Sequence, residues 1–226
     1  MIHYRQSARA KRISIKIHRT DGKVEVVYPF NVSKKQAERF VKENQDWIDK
    51  QLQSLKLCFS APKFEFNQIL KTRYHQIHIH KSNKDFALSY PEKGKYIIHT
   101  PNVSSPAYIK SIQQVLTEIY RIEAQWFLPL KTEELAKKFN FRYGRVTIRN
   151  QKTRWGSCSS ENNISLNLNL MKLPDHLIEY VIIHELCHTL EKNHGKGFWS
   201  LMERCLPGSK KLDKELKKYH PQGFYF

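Results

Sequence analysis

One segment of the sequence, residues 174–190, constrains the fold more than any other. Its spacing predicts a helix that begins at Pro174 and Asp175 and continues to Leu190. Apolar side chains fall on nearly the whole circumference of this helix: Leu177, Ile178, Val181, Ile182, Ile183, Leu186 and Leu190. A helix that is apolar on all sides is normally buried, so other elements of the fold must surround it.

The same helix carries three residues that an apolar core does not tolerate, namely His184, Glu185 and His188. Burying an ionised glutamate is costly unless something compensates its charge, and a divalent cation is sufficient compensation. Residues at i and i+4 lie on one helical face, so both imidazoles point towards the same place. His194 follows closely enough for the chain to turn back and supply a third ligand.

The spacing therefore predicts a metal site in which His184, His188 and His194 hold one Zn²⁺, with other divalent metals left open. Three neutral nitrogens leave a fourth position for water, whose pKa zinc lowers to about 7. Glu185 is placed to take the proton as general base, and Arg154 is our candidate for stabilising the negative charge that develops. The alternatives are two core histidines bonded to the backbone and a structural arginine.

The first hundred residues read as mostly β with one helix. Alternation of apolar residues predicts a hairpin over residues 13–26 with a turn at Asp21 and Gly22. Ser33 and Gln36 form a predicted capping box for a helix that continues to about Leu57. Further strands are expected at residues 74–80, 86–90 and 96–99.

The second half changes character after Pro101. Ser105 and Pro106 predict the start of a long helix that reaches Phe139 and for which Pro129 allows a break. Strands are expected at residues 146–148 and 164–170, with a turn over residues 154–159 between them. We therefore expect an α+β fold with an N-terminal region, 1–100, and a catalytic region, 101–226, or one continuous domain.

Charge and composition limit the possible partners. The net charge is +18, and residues 135–160 contain seven Lys or Arg and no acid. Such a block favours anionic partners, and the alternative is a solvated basic surface that serves solubility. No apolar run approaches the ~20 residues of a membrane span, and the four cysteines form no C-x-x-C pair. We expect a soluble cytoplasmic protein with free thiols and no membrane partner.

Several motifs resemble the YgjP-like metal-dependent hydrolases, a branch of the zincin metallopeptidase superfamily. The matching residues are Arg154 to Ser159 (RWGSCS), Tyr180-Val181, His184 to His188 (HELCH), Asn193-His194, Phe198-Trp199 and Pro207. The resemblance implies an active-site helix under a small antiparallel sheet whose edge borders the substrate cleft. It also assigns metal binding to the three histidines, which leaves Glu203 as a residue near the site and not a ligand.

Three functions remain open from the sequence. Peptide hydrolysis is favoured, because His-Glu-x-x-His on a helix is chiefly a peptidase motif. The basic block favours a second enzyme class, hydrolysis of a nucleotide phosphoanhydride. A nucleic-acid-binding protein with a structural metal site is the non-enzymatic alternative. The orientation of Arg149, Lys152 and Arg154 relative to the metal cleft would separate the two enzymatic readings.

Overall fold

The structure is a computed structural model that describes residues 2–18, 22–59, 63–221 and 223, without the side chains of residues 54–59. It consists of two compact units, Met1–Ser60 and Ala61–Phe226. The division falls at residue 60, whereas the sequence suggested one near residue 100. The physical reason is a shared core, because the sheet built from residues 69–100 packs on the long helix that follows it.

The first unit contains the predicted hairpin within a three-stranded sheet. Its strands are β1 (Ile2–Gln6), β2 (Ser14–Ile17) and β3 (Val24–Tyr28), in the order β1-β3-β2. β2 is antiparallel to β3, which confirms the hairpin, while β1 was not predicted and pairs parallel to β3. Gly22 has a positive φ of 69°, as a tight turn requires, and Asp21 lies outside the described residues.

The predicted helix of this unit is two helices, α1 (Lys34–Glu43) and α2 (Gln45–Phe59). The capping box is confirmed, since Ser33 Oγ accepts from Gln36 N and Gln36 Oε1 accepts from Ser33 N. The break lies at Asn44, whose side chain donates to the Phe40 carbonyl and whose backbone leaves the helical region. An apolar stripe still buries Ala37, Val41 and Ile48 against the sheet.

The second unit begins with a four-stranded sheet of β4 (Ile69–Lys71), β5 (Gln76–Lys81), β6 (Ala87–Glu92) and β7 (Lys95–Thr100). The order is β4-β5-β7-β6, and β5 runs parallel to β7. Three of these strands confirm the sequence prediction, and β4 is additional. The apolar residues of this four-stranded sheet pack against α3 (Pro106–Phe139). α3 is continuous through Pro129, so the break considered there does not occur.

A smaller sheet lies nearer the predicted site. It contains β8 (Val146–Arg149), β9 (Gly156–Cys158) and β10 (Ile164–Asn167) in the order β8-β10-β9. β9 is antiparallel to β10 and β8 is parallel to it, so the expected small sheet is mixed in direction. The segment expected to be a turn contains strand β9, and β10 gives way after Asn167 to a 3₁₀ helix, Leu168–Lys172.

Three helices complete the chain: α4 (Asp175–Cys187), α5 (Lys196–Cys205) and α6 (Ser209–Leu216). α4 contacts α3, α5, α6, β9 and β10, which explains why it is apolar on every side. The helix ends earlier than predicted, at Cys187. Leu190, which was expected to belong to it, lies beyond its end and is 66% exposed. In the part of the chain that the structure describes, none of the helices has the length and hydrophobicity of a membrane crossing.

Candidate metal centre

The structure brings His184, His188 and His194 together. His184 lies in the last turn of α4, His188 caps the end of that helix, and His194 comes from the loop before α5. The Nε2 atoms are 3.2 Å apart between His184 and His188, 3.1 Å between His188 and His194, and 3.0 Å between His184 and His194. Three imidazole nitrogens thus converge on one point.

Local hydrogen bonds hold the second histidine in this orientation. His188 Nδ1 donates to the Glu191 carbonyl at 2.9 Å, so Nδ1 carries the hydrogen and Nε2 presents its lone pair. The helix ends here, and the Thr189 hydroxyl donates back to the Leu186 carbonyl in the turn that follows. A ligand histidine whose other nitrogen donates to a carbonyl is the usual arrangement in metal sites.

Phe198 in α5 forms an apolar wall common to the three imidazoles. Its ring is fully buried and stacks on His188 with centroids 4.6 Å apart and 27° between planes. The centroids of His184 and His194 lie 4.8 and 4.7 Å from it, in edge-to-face contacts. One aromatic side chain therefore restricts the rotation of all three rings.

The donor set fits a tetrahedral metal ion. Zn–N bonds of about 2.0–2.1 Å separate the nitrogens of a tetrahedral site by about 3.3 Å, close to the observed edges. Without a cation, three lone pairs or N–H groups aimed at one point would repel each other. A search of the described residues for His, Cys, Asp and Glu side chains that could share one metal ion finds these three histidines, whose donor atoms all lie within 4.8 Å of one another.

The electrostatic environment keeps two of these histidines neutral. Burial lowers the pKa of His184 to about 3, and the neighbouring His188 and His194 rings contribute to the shift. Burial also lowers the pKa of His188. Only neutral imidazole has a free lone pair, so at neutral pH both rings are in the protonation state that binds metal.

Glu185, the residue after His184 in α4, is buried against strand β9. Burial raises the pKa of its carboxyl group to about 8, and the Arg154 charge opposes the shift. None of the described residues forms a hydrogen bond with the carboxylate. A Cβ atom at Gly156 would come within 2.7 Å of Glu185 Oε1, so only glycine leaves room for the carboxylate here. The sequence suggested a turn over residues 154–159, and the structure shows that Gly156 also permits this close approach.

Arg154 lies just before β9, with an exposed side chain. Its positive charge acts on Glu185, and its guanidinium makes no hydrogen bond to a described residue. The sequence left open that Arg154 is a structural arginine bonded to a carboxylate or a backbone carbonyl. No described residue forms such a bond with its side chain. Arg149 and Lys152 are also exposed, and neither lines the pocket next to His194.

Asn167 is a residue that sequence reasoning missed. It is buried at the end of β10, and its Nδ2 donates to the carbonyls of Gln151 and Arg154, both at 2.7 Å. Its Oδ1 accepts from the backbone N–H of Asn169. The side chain thus fixes the loop that leads to Arg154. In the sequence Asn167 looked like one polar member of an alternating strand, which gave no sign of this role.

Glu203 and Glu215 do not join the histidines. Glu203 accepts hydrogen bonds from Gly208 N and from Ser209 N and Oγ, at the start of α6. Glu215 pairs with His176 at 2.8 Å. Both carboxylates are therefore engaged elsewhere, which agrees with His194 as the third member of the cluster.

Comparison with known proteins identifies the family. The model of the YgjP-like metallopeptidase domain matches residues 11–219. The chain belongs to this family. It therefore carries a metallopeptidase domain, and metallopeptidases are metal-dependent hydrolases, so membership confirms the resemblance seen in the motifs and the enzyme class. No curated protein is similar enough to match the chain.

Two solved structures are similar to part of the chain. The crystal structure of the metallopeptidase zymogen abylysin of Pyrococcus abyssi is 24% identical, with a TM-score of 0.37, and covers 41% of this chain and 94% of its own. The metallopeptidase zymogen jannalysin of Methanocaldococcus jannaschii is also 24% identical, with a TM-score of 0.35. The matched region is 40% of this chain and 91% of the jannalysin chain.

Proposed function

We propose that the protein is a zinc-dependent peptidase in which His184, His188 and His194 hold the ion. The observation that carries the proposal is the convergence of three Nε2 atoms, 3.0–3.2 Å apart, at the end of the helix that also carries the buried Glu185. The chemistry that a bound zinc ion supplies is Lewis acidity, which polarises a carbonyl oxygen and brings the pKa of water to about 7.

In this proposal Glu185 is the general base. It follows His184 directly in α4, and it is not one of the three residues whose donor atoms converge. No described residue bonds the carboxyl group, and a bound cation would offset the burial that raises its pKa, so that it could take a proton from the attacking water and return it to the leaving amine. Gly156 leaves the space that this carboxyl group occupies.

Arg154 would stabilise the negative charge that develops on the carbonyl oxygen. Its guanidinium is exposed, makes no hydrogen bond to a described residue, and is close enough to act electrostatically on Glu185. A donor that is positioned before the reaction begins stabilises a developing oxyanion without reorganisation. The bonds from Asn167 to the Arg154 carbonyl and to Gln151 supply that positioning.

Strand β9 favours a peptide as substrate. It is the last strand in the order β8-β10-β9, so one of its edges is not paired within this sheet. An extended peptide can add to such an edge through backbone hydrogen bonds. A peptide bound there would pass Gly156 and therefore the carboxylate of Glu185.

Hydrolysis of a nucleotide phosphoanhydride is the second candidate. The observation that favours it is the presence of Lys196, Lys210 and Lys211 in the pocket that His194 lines, since lysines neutralise phosphate charge. The first candidate takes precedence because the family is defined by a metallopeptidase domain.

The test compares wild type with Glu185→Gln on casein, a peptide library and nucleoside triphosphates. We expect wild type to cleave peptides and Glu185→Gln to lose about 10²- to 10⁴-fold in kcat while keeping its metal. Glu118→Gln, an exposed glutamate on α3, is the matched control and should retain activity. Equal turnover by Glu185→Gln would remove this residue as the base, and turnover of triphosphates alone would favour the second candidate.

A further inference from the structure

A pocket of about 800 Å³ adjoins the histidine cluster. His194 forms part of its wall, and the rest comes from α5, from the start of α6 and from the glycine that precedes each helix. We call it the lysine pocket, after Lys196, Lys210 and Lys211. The remaining lining residues are Gly195, Trp199, Ser200, Glu203 and Gly208. A substrate group next to the scissile bond would enter this space, because His194 belongs to both sites.

The charges in the lysine pocket are predominantly positive. Its three lysines are exposed, and none of them forms a direct ion pair with another residue in the described part of the chain. The pocket contains one acid, Glu203, which already accepts three hydrogen bonds from Gly208 and Ser209. Those bonds hold the pKa of Glu203 below its usual value. An anionic ligand in this pocket would therefore be near three ammonium groups and one carboxylate, and that carboxylate already accepts hydrogen bonds from the protein.

The first turn of α5 brings backbone N–H groups to the pocket, and the Glu191 carboxylate lies against Gly197 in that turn. The helix begins at Lys196, and Gly195 in front of it has no side chain to cap the first backbone N–H groups. Uncapped N–H groups at a helix start carry a partial positive charge and favour anions. The start of α6 differs, because Glu203 already accepts hydrogen bonds from its backbone N–H groups.

We propose that the lysine pocket is a specificity subsite that binds the carboxylate of an acidic residue in the peptide substrate. The half-buried ring of Trp199 provides an apolar surface for the aliphatic part of a glutamate side chain, and the lysines meet its charged end. The inference rests on the proposed peptidase function and names the class of peptide that the site selects. The whole chain contains 39 Lys or Arg and 21 Asp or Glu residues, and this excess of positive charge also favours anionic substrates.

The first experiment measures cleavage of paired peptides that differ only by Glu or Gln at one position near the scissile bond. We expect a higher kcat/KM for the Glu peptide, with each exposed lysine contributing roughly 2- to 5-fold. Lys210→Glu and Lys211→Glu should reverse the preference, and added salt should weaken it in wild type. Lys214→Glu is the matched control, because it makes the same charge change on α6 outside the pocket. Lys210→Gln and Lys211→Gln test the same point with less electrostatic disturbance.

A second experiment separates this proposal from the proposed function. Binding of the Glu and Gln peptides to Glu185→Gln is measured by fluorescence anisotropy, so no turnover is needed. Tighter binding of the Glu peptide that Lys210→Glu abolishes would support the subsite even if no peptide were cleaved. Equal cleavage and equal binding of both peptides would overturn the subsite and leave the peptidase standing. A nucleoside triphosphate that binds through these lysines when neither peptide does would also overturn it.

Discussion

Gly156 and Glu185 lie so close together that a Cβ atom at residue 156 would come within 2.7 Å of Glu185 Oε1 and 2.8 Å of Cγ. The contact joins the edge strand β9 to the buried helix α4 at Glu185, the proposed base. It explains a glycine within a strand, a position where glycine is usually unfavourable. It also places the base against the strand that we propose to hold the substrate.

The first prediction concerns this contact. Gly156→Ala should displace the Glu185 carboxylate and lower kcat/KM by about 10- to 100-fold, because small misplacements of a catalytic group are costly. Metal content should not change, since the atoms nearest to the new Cβ belong to Glu185 and not to a histidine. Full activity of Gly156→Ala would contradict the positioning role.

The second prediction concerns the apolar wall behind the histidines. Phe198→Leu should weaken metal binding by roughly 10- to 100-fold, as loss of a supporting residue does in other metal sites, because the three rings lose their common contact. Competition with a chromophoric chelator measures the affinity. Phe64→Leu is the matched control: it is also buried, in the same unit, but outside the cluster, so it should lower stability alone. Equal metal affinities for the two variants would contradict this role.

The third prediction concerns the loop that carries Arg154. Asn167→Asp keeps the acceptor oxygen but removes the Nδ2 donor to the carbonyls of Gln151 and Arg154. We expect a loss of ~1–3 kcal/mol in unfolding free energy for each unsatisfied carbonyl, and faster hydrogen exchange in residues 151–155. Asn102→Asp is the control, because there only the oxygen accepts a bond, from Ser104 N. Unchanged exchange in the loop would show that Asn167 does not hold it.

The sequence predicted those elements whose signal is local. The burial of α4, the hairpin of β2 and β3, and the capping box at Ser33 follow from periodicity and short-range hydrogen bonding. The parallel pairing of β1 with β3 depends on residues far apart in the sequence, and nothing in residues 2–6 indicates it. The 3₁₀ helix after Asn167 was missed because Leu168 and Leu170 are buried in either conformation.

The same distinction holds for the candidate site. The spacing of His184, His188 and His194 predicted that they would come together, since two share a helical face and the third follows closely. Phe198 and Asn167 could not be assigned their roles, because each acts through a contact that only the folded chain creates. Strand β9 was taken for a turn because Gly156 and Ser157 are typical turn residues.

The fourth prediction is a pH dependence remote from the metal centre. Burial lowers the pKa of Lys172 to about 8, from an ordinary value of 10.5. The folded chain therefore binds this proton less tightly than the unfolded chain does, so the stabilising contribution is complete above pH 10.5 and is lost as the pH falls through 8. Urea unfolding between pH 7.5 and 10.5 should show a rise of up to about 3 kcal/mol that Lys172→Met abolishes. The same slope in Lys172→Met would assign the effect to another group.

The central claim, that three histidines hold a metal ion, is tested most directly by the metal content of the protein purified without chelators. Mass spectrometry of the wild type should find about one zinc or other divalent ion per chain. His188→Ala should lose most of it, whereas His80→Ala, which alters a histidine on β5 outside the cluster, should retain it. A metal-free wild type, or a His188→Ala variant with the same metal content as wild type, would contradict the account.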